Sequence, residues 1–313
     1  MTDEPTHLLV LRPGAIGDTL LSFPVLERLR AQYAEGEIVL VGNAALLPLA
    51  AAFGVAQEVY DYEDPLWSEL FSTRGPSSPR LKGLLARTRR AVCWLRDPEG
   101  VVAGNLRAAG VGEVTIAPGR PPADRPLHIV TYLEETLGLP PGIWPIELRY
   151  QLPAGPLPAP MQQPIVAIHP GSSSPTKCWP APHFAAVIEQ LWRRGYSILL
   201  LAGPADEQYL RALLAALPPQ PEWGRLKVLK NVPLLEIAQT VQQCHAYLGN
   251  DSGPAHLAAL LGVPTLALFG PSDLRTWHPV GLRVQVVQEQ PLDRLTVKRV
   301  MDTFDSMLTR RPP

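Results

Sequence analysis

The chain has 313 residues, enough for two domains with full cores or one large one. Its apolar content of 46% and formal net charge of −1 exclude the footprint of a nucleic-acid binder, and its longest apolar stretch, residues 44–56, is too short to span a bilayer. Cys93, Cys178 and Cys244 lie far apart with no paired spacing, which excludes a disulfide framework or a zinc site.

The first run, "HLLVLR" (7–12), reads as a buried strand, and "RPGAIGDTLLSFPVL" continues it through a turn at Gly14 and Gly17 into a helix. The turn has G-x-x-G and not the G-x-G-x-x-G of a dinucleotide site, and Asp18 opposes a pyrophosphate there. A dehydrogenase is therefore disfavoured. The turn brings backbone close to a ligand and sets Asp18 at a helix start, where a carboxylate is suited to take a proton from a hydroxyl. A plain N-cap is the alternative for Asp18. "LERLRAQY" follows as a helical pattern, with Pro24 kinking or restarting it. Further strands are expected at 37–42, 58–62, 91–96 and 113–117. Between 74 and 96 stand Arg74, Arg80, Lys82, Arg87, Arg89, Arg90 and Arg96, with no acidic residue among them. Such a run is either a cationic face for an anionic partner or an acidic membrane surface, or a solvated helix face.

The segment "QLPAGPLPAPMQQP" contains Pro153, Pro156, Pro158, Pro160 and Pro164, and reads as a semi-rigid linker. Beyond it the strand–helix alternation resumes, with strands expected at 165–170, 197–203, 226–230, 246–250 and 265–270. The helix at 183–194 places Phe184, Val187, Ile188 and Leu191 on one face, with Gly195 as its stop. The final "LTVKRVMDTFDSML" reads as an amphipathic helix.

Two motifs in this half suit an anion. "HPGSSSPTKCWP" gives a loop of amides and hydroxyls after a strand, with Lys177 six residues after Gly171. It lacks Walker spacing, and an ordinary polar turn with a solvated Lys177 is the alternative. "YLGNDSGPAHLAALLGVP" runs from strand to helix, with Ser252 or Gly253 as cap and Pro254 at the first turn. Its helix start favours an anion, His256 is a donor to it, and Asp251 beside it is an acceptor for hydroxyls. Plain capping by Asp251 and Ser252 with a packed surface His256 is the competing reading.

Taken together, "RPGAIGDTLLSFPVL", "HPGSSSPTKCWPAPHFAAVIEQL" and "NDSGPAHLAALLGVPTLALFGPSD", with "LHIVTYLEETLGL" (127–139) and "LTVKRVMDTF", resemble glycosyltransferase family 9, the lipopolysaccharide heptosyltransferases and their relatives. The resemblance implies an α/β fold of the GT-B type, two Rossmann-like doubly wound domains with a cleft between them. The expected division is 1–155 for the acceptor domain and 156–313 for the nucleotide-sugar donor domain, the terminal helix being a candidate to pack back on the first.

It also implies an inverting, metal-independent transfer of a sugar, heptose favoured, from a nucleotide diphosphate such as ADP-heptose to a hydroxyl of a glycan or glycolipid such as lipopolysaccharide core. No separate cofactor is expected. Carried over by position, Asp18 is the general base. Ser172, Ser173, Lys177, Ser252, Gly253 and His256 bind the diphosphate, and Asp251 the sugar. Glu207 and Val232 lie near the nucleoside. Arg74, Arg80 and Lys82 are acceptor candidates. The loop "CWLRDPEGVVAGNL" departs from the family's aspartate-leucine-glutamine run, so no acceptor contact is assigned there. The expected location is cytoplasmic, with peripheral contact at the inner face of the cytoplasmic membrane; the acidic start "MTDEPTH" lacks a basic secretion signal. A nucleotide-sugar epimerase and a non-catalytic nucleotide-sugar-binding protein are the alternatives. The first would need no acceptor, and the second would make Asp18 dispensable.

Overall fold

Apolar runs of five or six residues such as "LLVLR" and "ILLLA" cannot leave one face in water, so they form strands covered on both sides. In the computed structural model, which describes residues 5–33, 36–142, 150–158, 161–219 and 223–309, all strand pairs are parallel. The chain divides into two compact units, Met1–Gly142 and Ile143–Pro313.

The first unit holds β1 (His7–Arg12), β2 (Glu37–Gly42), β3 (Glu58–Asp61), β4 (Thr88–Cys93) and β5 (Glu113–Ile116), in the spatial order β3-β2-β1-β4-β5. Its helices are α1 (Ile16–Leu20), α2 (Phe23–Arg30), α3 (Leu47–Ala52), α4 (Pro79–Ala86), α5 (Val101–Ala108) and α6 (Ile129–Thr136). Leu9, Leu11, Val39, Val41, Ala91 and Cys93 form one face of the sheet and pack with Trp67, Leu81, Leu85, Val102 and Leu106. Pro24 restarts the helix: α1 ends at Leu20, and α2 begins two residues beyond Leu21 with Pro24 in its first turn. The fourth strand, expected at 91–96, begins three residues earlier. Its two arginines are accommodated because the Arg89 guanidinium lies 5.1 Å from the Tyr33 ring centre, while Arg90 donates to Tyr33 Oη and the Leu137 carbonyl.

The second unit holds β6 (Ile165–His169), β7 (Ser197–Ala202), β8 (Leu226–Lys230), β9 (Ala246–Asn250), β10 (Thr265–Phe269) and β11 (Val284–Gln288). Its helices are α7 (Ala181–Arg193), α8 (Glu207–Ala216), α9 (Leu234–Val241), α10 (Gly253–Leu260), α11 (Leu274–Trp277) and α12 (Val297–Thr309). The order β8-β7-β6-β9-β10-β11 is that of a complete dinucleotide-type sheet. β11, "VQVVQ", was not among the expected strands; it lies at the sheet edge and is only partly covered.

The structure divides the chain earlier than the expected boundary at 155. The proline-rich segment does not hang free between units. Leu152 N donates to Gln242 Oε1 and Gln242 Nε2 to the Leu152 carbonyl, while Gly155 N reaches the Gln239 carbonyl and Gln243 Nε2 the Gly155 carbonyl. Its described part therefore belongs to the second unit, and the division falls at Gly142 and not at 155; Pro160 lies outside the described residues. The terminal helix α12 buries Val300, Met301, Phe304 and Met307 in the second unit's own core, against the α7 side of its sheet.

Candidate functional site

In a doubly wound sheet, ligands bind at the carboxyl edge where the strand order reverses, because adjacent connections leave on opposite faces and open a crevice. In the second unit that point lies between β6 and β9. The loop after β6 carries Ser172, Ser173 and Lys177, and the loop after β9 carries Asp251 and Ser252 before α10. Buried Asn250 fixes the two loops together. Its Nδ2 donates to the carbonyls of Pro170 at 2.8 Å and Gly171 at 3.3 Å, and its Oδ1 accepts from Trp179 N at 3.0 Å.

Asp251, 6% exposed, is the hub. Lys177 Nζ lies 2.9 Å from its Oδ2, and Ser272 Oγ donates to the same oxygen. His256 Nε2 stands 3.9 Å from Oδ1, and Ser172 Oγ donates to the Asp251 carbonyl at 2.6 Å. An ammonium has three N–H donors, so Lys177 keeps two beyond the Asp251 bond. Gly253 opens α10 with Pro254 after it, and a helix start directs N–H groups and the positive dipole end into the same place. Ser173 is exposed on the β6 loop. Simple capping does not describe this motif: Ser252 occupies the N-cap position of α10 but its side chain makes no cap hydrogen bond, and His256 is buried.

Glu207 and Val232 stand at the same carboxyl edge, on the β7–β8 side. Glu207 opens α8, where hydrogen bonding and charge from Lys230, and further contacts from Arg211, hold its carboxyl below the ordinary range. Val232 is half-buried and follows Asn231, whose φ of 55° turns the chain into α9.

The first unit's switch point lies between β1 and β4. Gly14, at φ 153°, closes the turn after β1; a Cβ there would stand 3.3 Å from Asp18 Oδ2. Gly17 is not part of that turn, because Ala15 is the N-cap and Gly17 is already helical. Asp18 is the third residue of α1, not its cap. It is 7% exposed, and its Oδ2 accepts from Arg120 Nη2 at 2.8 Å. Arg12 braces it from below, with Nη2 donating to the Asp18 carbonyl and Nη1 to the Gly119 carbonyl, both at 3.0 Å. Burial pulls the Arg12 guanidinium down to about 10 even though Asp18 works the other way.

The basic run divides. Arg80 pairs with Asp64 at 3.5 Å and lies over the Tyr60 ring, Arg87 pairs with Glu58, and Arg90 is buried against Glu113. Arg74, Lys82 and Arg96 are exposed. The partners from outside the run are acids that its own sequence lacks. Sequence reading also missed Arg120, Ser272 and the buried pair of His169 and Asp206. Ser272 lies inside the quoted "FGPSD" segment, which is the one signal that pointed to it. Among the described residues no group of three or more His, Cys, Asp and Glu side chains is arranged to hold a metal ion.

Two doubly wound α/β units, each with polar side chains at its switch point, are the plan of a GT-B-type glycosyltransferase. A model of glycosyltransferase family 9 (heptosyltransferase) matches residues 142–304, just over half of the chain, and the chain belongs to that family. Lipopolysaccharide heptosyltransferase 2 of Salmonella typhimurium is 29% identical over 167 residues, 47% of this chain and 48% of the relative. The chain spans about half the length, or less, of the curated relatives it matches. In fold it is similar to Escherichia coli ADP-heptose lipopolysaccharide heptosyltransferase II, with a TM-score of 0.73 at 22% identity over 96% of this chain and 98% of the other. An E. coli heptosyltransferase solved with ADP-2-deoxy-2-fluoro heptose superimposes with a TM-score of 0.68 at 16% identity, over 96% and 99% of the two chains.

Proposed function

We propose that this protein transfers a sugar, heptose favoured, from a nucleotide diphosphate donor such as ADP-heptose to a hydroxyl of a glycan or glycolipid such as lipopolysaccharide core. Transfer proceeds with inversion and without a metal. Family membership supports the reaction class, and the relatives' names support heptose and lipopolysaccharide. The observation that carries the reading is the meeting of Ser172, Lys177, Asp251, Ser252 and His256 at one switch point.

The roles follow from charge. As the bond from anomeric carbon to diphosphate breaks, negative charge grows on the leaving group. Lys177, His256 and the amides at the start of α10 bind that charge more strongly than they bind the intact donor, which speeds the step. Ser172, Ser173, Ser252 and Gly253 complete the diphosphate site. Asp251, held by Lys177 and Ser272, takes hydrogen bonds from sugar hydroxyls through its remaining lone pairs. Glu207 and Val232 meet the nucleoside. In the first unit Asp18 removes the acceptor's proton, and Arg74 and Lys82, with Arg80 less free, attract an anionic acceptor.

The test is transfer from ADP-heptose measured with and without an acceptor. Asp18→Asn retains ADP binding and loses roughly 10²- to 10⁴-fold in transfer rate, the range for a general base. Wild-type turnover in that variant removes the base assignment. Conversion of donor alone points to an epimerase.

A further inference from the structure

Beneath the β6 loop lies a pair to which the chemistry above gives no task. His169 and Asp206 are 4% and 7% exposed, and His169 Nε2 stands 2.9 Å from Asp206 Oδ2. Gly203 N donates to the same oxygen at 2.7 Å. Two glycines make the room: a Cβ on Gly171 would fall 1.9 Å from Asp206 Oδ1, and one on Gly249 would fall 2.5 Å from Tyr247 Oη and 2.9 Å from the His169 carbonyl. The other ring nitrogen, His169 Nδ1, stands 3.1 Å from Ser252 Oγ, whose hydroxyl has a second acceptor in the Asn250 carbonyl, to which it donates at 3.1 Å.

A hydroxyl has one proton to give. With a neutral imidazole carrying its proton on Nε2 toward Asp206, Nδ1 is an acceptor and draws the Ser252 proton inward. Ser252 then offers an anion only lone pairs. With the imidazole protonated, Nδ1–H donates to Ser252 Oγ, the ring no longer accepts the hydroxyl proton, and an anionic phosphate competes for it with the neutral Asn250 carbonyl.

We infer that His169, held by Asp206, is a positioning residue that takes up a proton from solvent when a diphosphate binds at the start of α10, so that Ser252 donates to it. This rests on the donor-site reading above. Binding then weakens as pH rises through the imidazole range, because one more proton must be found for each ligand bound. The other titratable groups around the pair do not compete near neutrality. Burial raises Cys178, Tyr209 and Tyr247 above their ordinary values, keeping them uncharged. Burial acts to raise Asp206 too, but the His169 bond and charge and the Gly203 amide outweigh it and hold the carboxyl below its usual value. On the ligand side stand Asp251, Lys177 and His256, of which His256 is the one other imidazole.

Calorimetric titration of the whole chain with ADP, UDP and GDP, in two buffers of different ionisation enthalpy near pH 7, counts the protons taken up per nucleotide bound. The terminal phosphate itself titrates near pH 6, so the quantity compared is wild type minus variant with the same nucleotide. Ser252→Ala, which deletes one hydroxyl and leaves the buried pair intact, lowers the count by roughly half a proton or more. Asp206→Asn moves the uptake to lower pH, since the imidazolium loses its anionic partner. His256→Gln keeps the wild-type count whatever its affinity. Equal uptake in wild type and Ser252→Ala overturns the inference and leaves the donor site standing, and loss of uptake in His256→Gln overturns it by moving the proton there. Failure of all three nucleotides to bind overturns both.

Discussion

Asp18 and Asp206 are both buried carboxylates at a strand's carboxyl edge, and their partners separate their roles. Asp18 faces Arg120, whose side chain is 64% exposed, so the pair opens toward solvent, as the proton-accepting role proposed for Asp18 requires. Asp206 is bonded to buried His169 and to Gly203 N, a closed arrangement that holds its proton off. A carboxyl depressed in the folded state contributes stability above its unfolded value, near pH 4, and loses it as pH falls through the folded value. Urea unfolding from pH 6 to pH 3 should show wild type more stable than Asp206→Asn at the upper end, with the gap closing below about pH 4. A gap of constant size contradicts that linkage. At this scale the candidate residues were legible where a polar side chain sits in a motif at a strand's carboxyl end. Asp18 follows Gly17 and Asp251 follows the last residue of β9, while Lys177 and His256 lie within the glycine-containing segments after β6 and β9. Arg120 lies 102 positions from Asp18 and His169 lies 37 from Asp206 and 83 from Ser252, so no local spacing links them.

Ten of the strands were legible, the central ones because runs such as "EIVLVG" and "TLALFG" are too continuous for anything but a doubly covered strand, and the partly buried edge strands β3, β5 and β8 from short β-rich runs. β11 escaped because "VQVVQ" alternates at a sheet edge and half of it is wet. The start of β4 escaped because Arg89 and Arg90 read as surface charges, while Tyr33 from the turn after α2 and Glu113 from β5 receive them. The destination of α12 was not readable either. An amphipathic helix declares an apolar face but not which core it enters, and here Phe304, 1% exposed, settles among α7 and β10–β11. Phe304→Ala should cost about 3–5 kcal/mol of stability in denaturant unfolding of the whole chain. A cost under about 1 kcal/mol would mean that α12 does not contribute to that core.

Across the molecule, two sheets of orders β3-β2-β1-β4-β5 and β8-β7-β6-β9-β10-β11 repeat one plan, and each sets its polar residues at the reversal. That repeat was visible in the alternation of strands and helices, and the division point was not, because glutamines far along the chain bind the proline-rich segment. Among the described residues no helix is long and apolar enough to cross a membrane. A peripheral contact with an acidic bilayer would draw on the exposed cations of the basic run, of which Arg80 and Arg87 are already paired with Asp64 and Glu58, which leaves Arg74, Lys82 and Arg96 to be tested. Sedimentation with anionic vesicles at low salt should pull down the wild type and lose the double variant Arg74→Glu/Lys82→Glu. Equal sedimentation leaves those side chains as a solvated face.

In the proposed function the second unit's switch point grips a diphosphate through the ammonium beside Asp251. Calorimetric titration of ADP into wild type and Lys177→Met tests it most directly. One saturable site is expected in the wild type, weakened roughly 10- to 100-fold in the variant, the range for losing a hydrogen bond to a charged group. Equal affinity in the two proteins would contradict it.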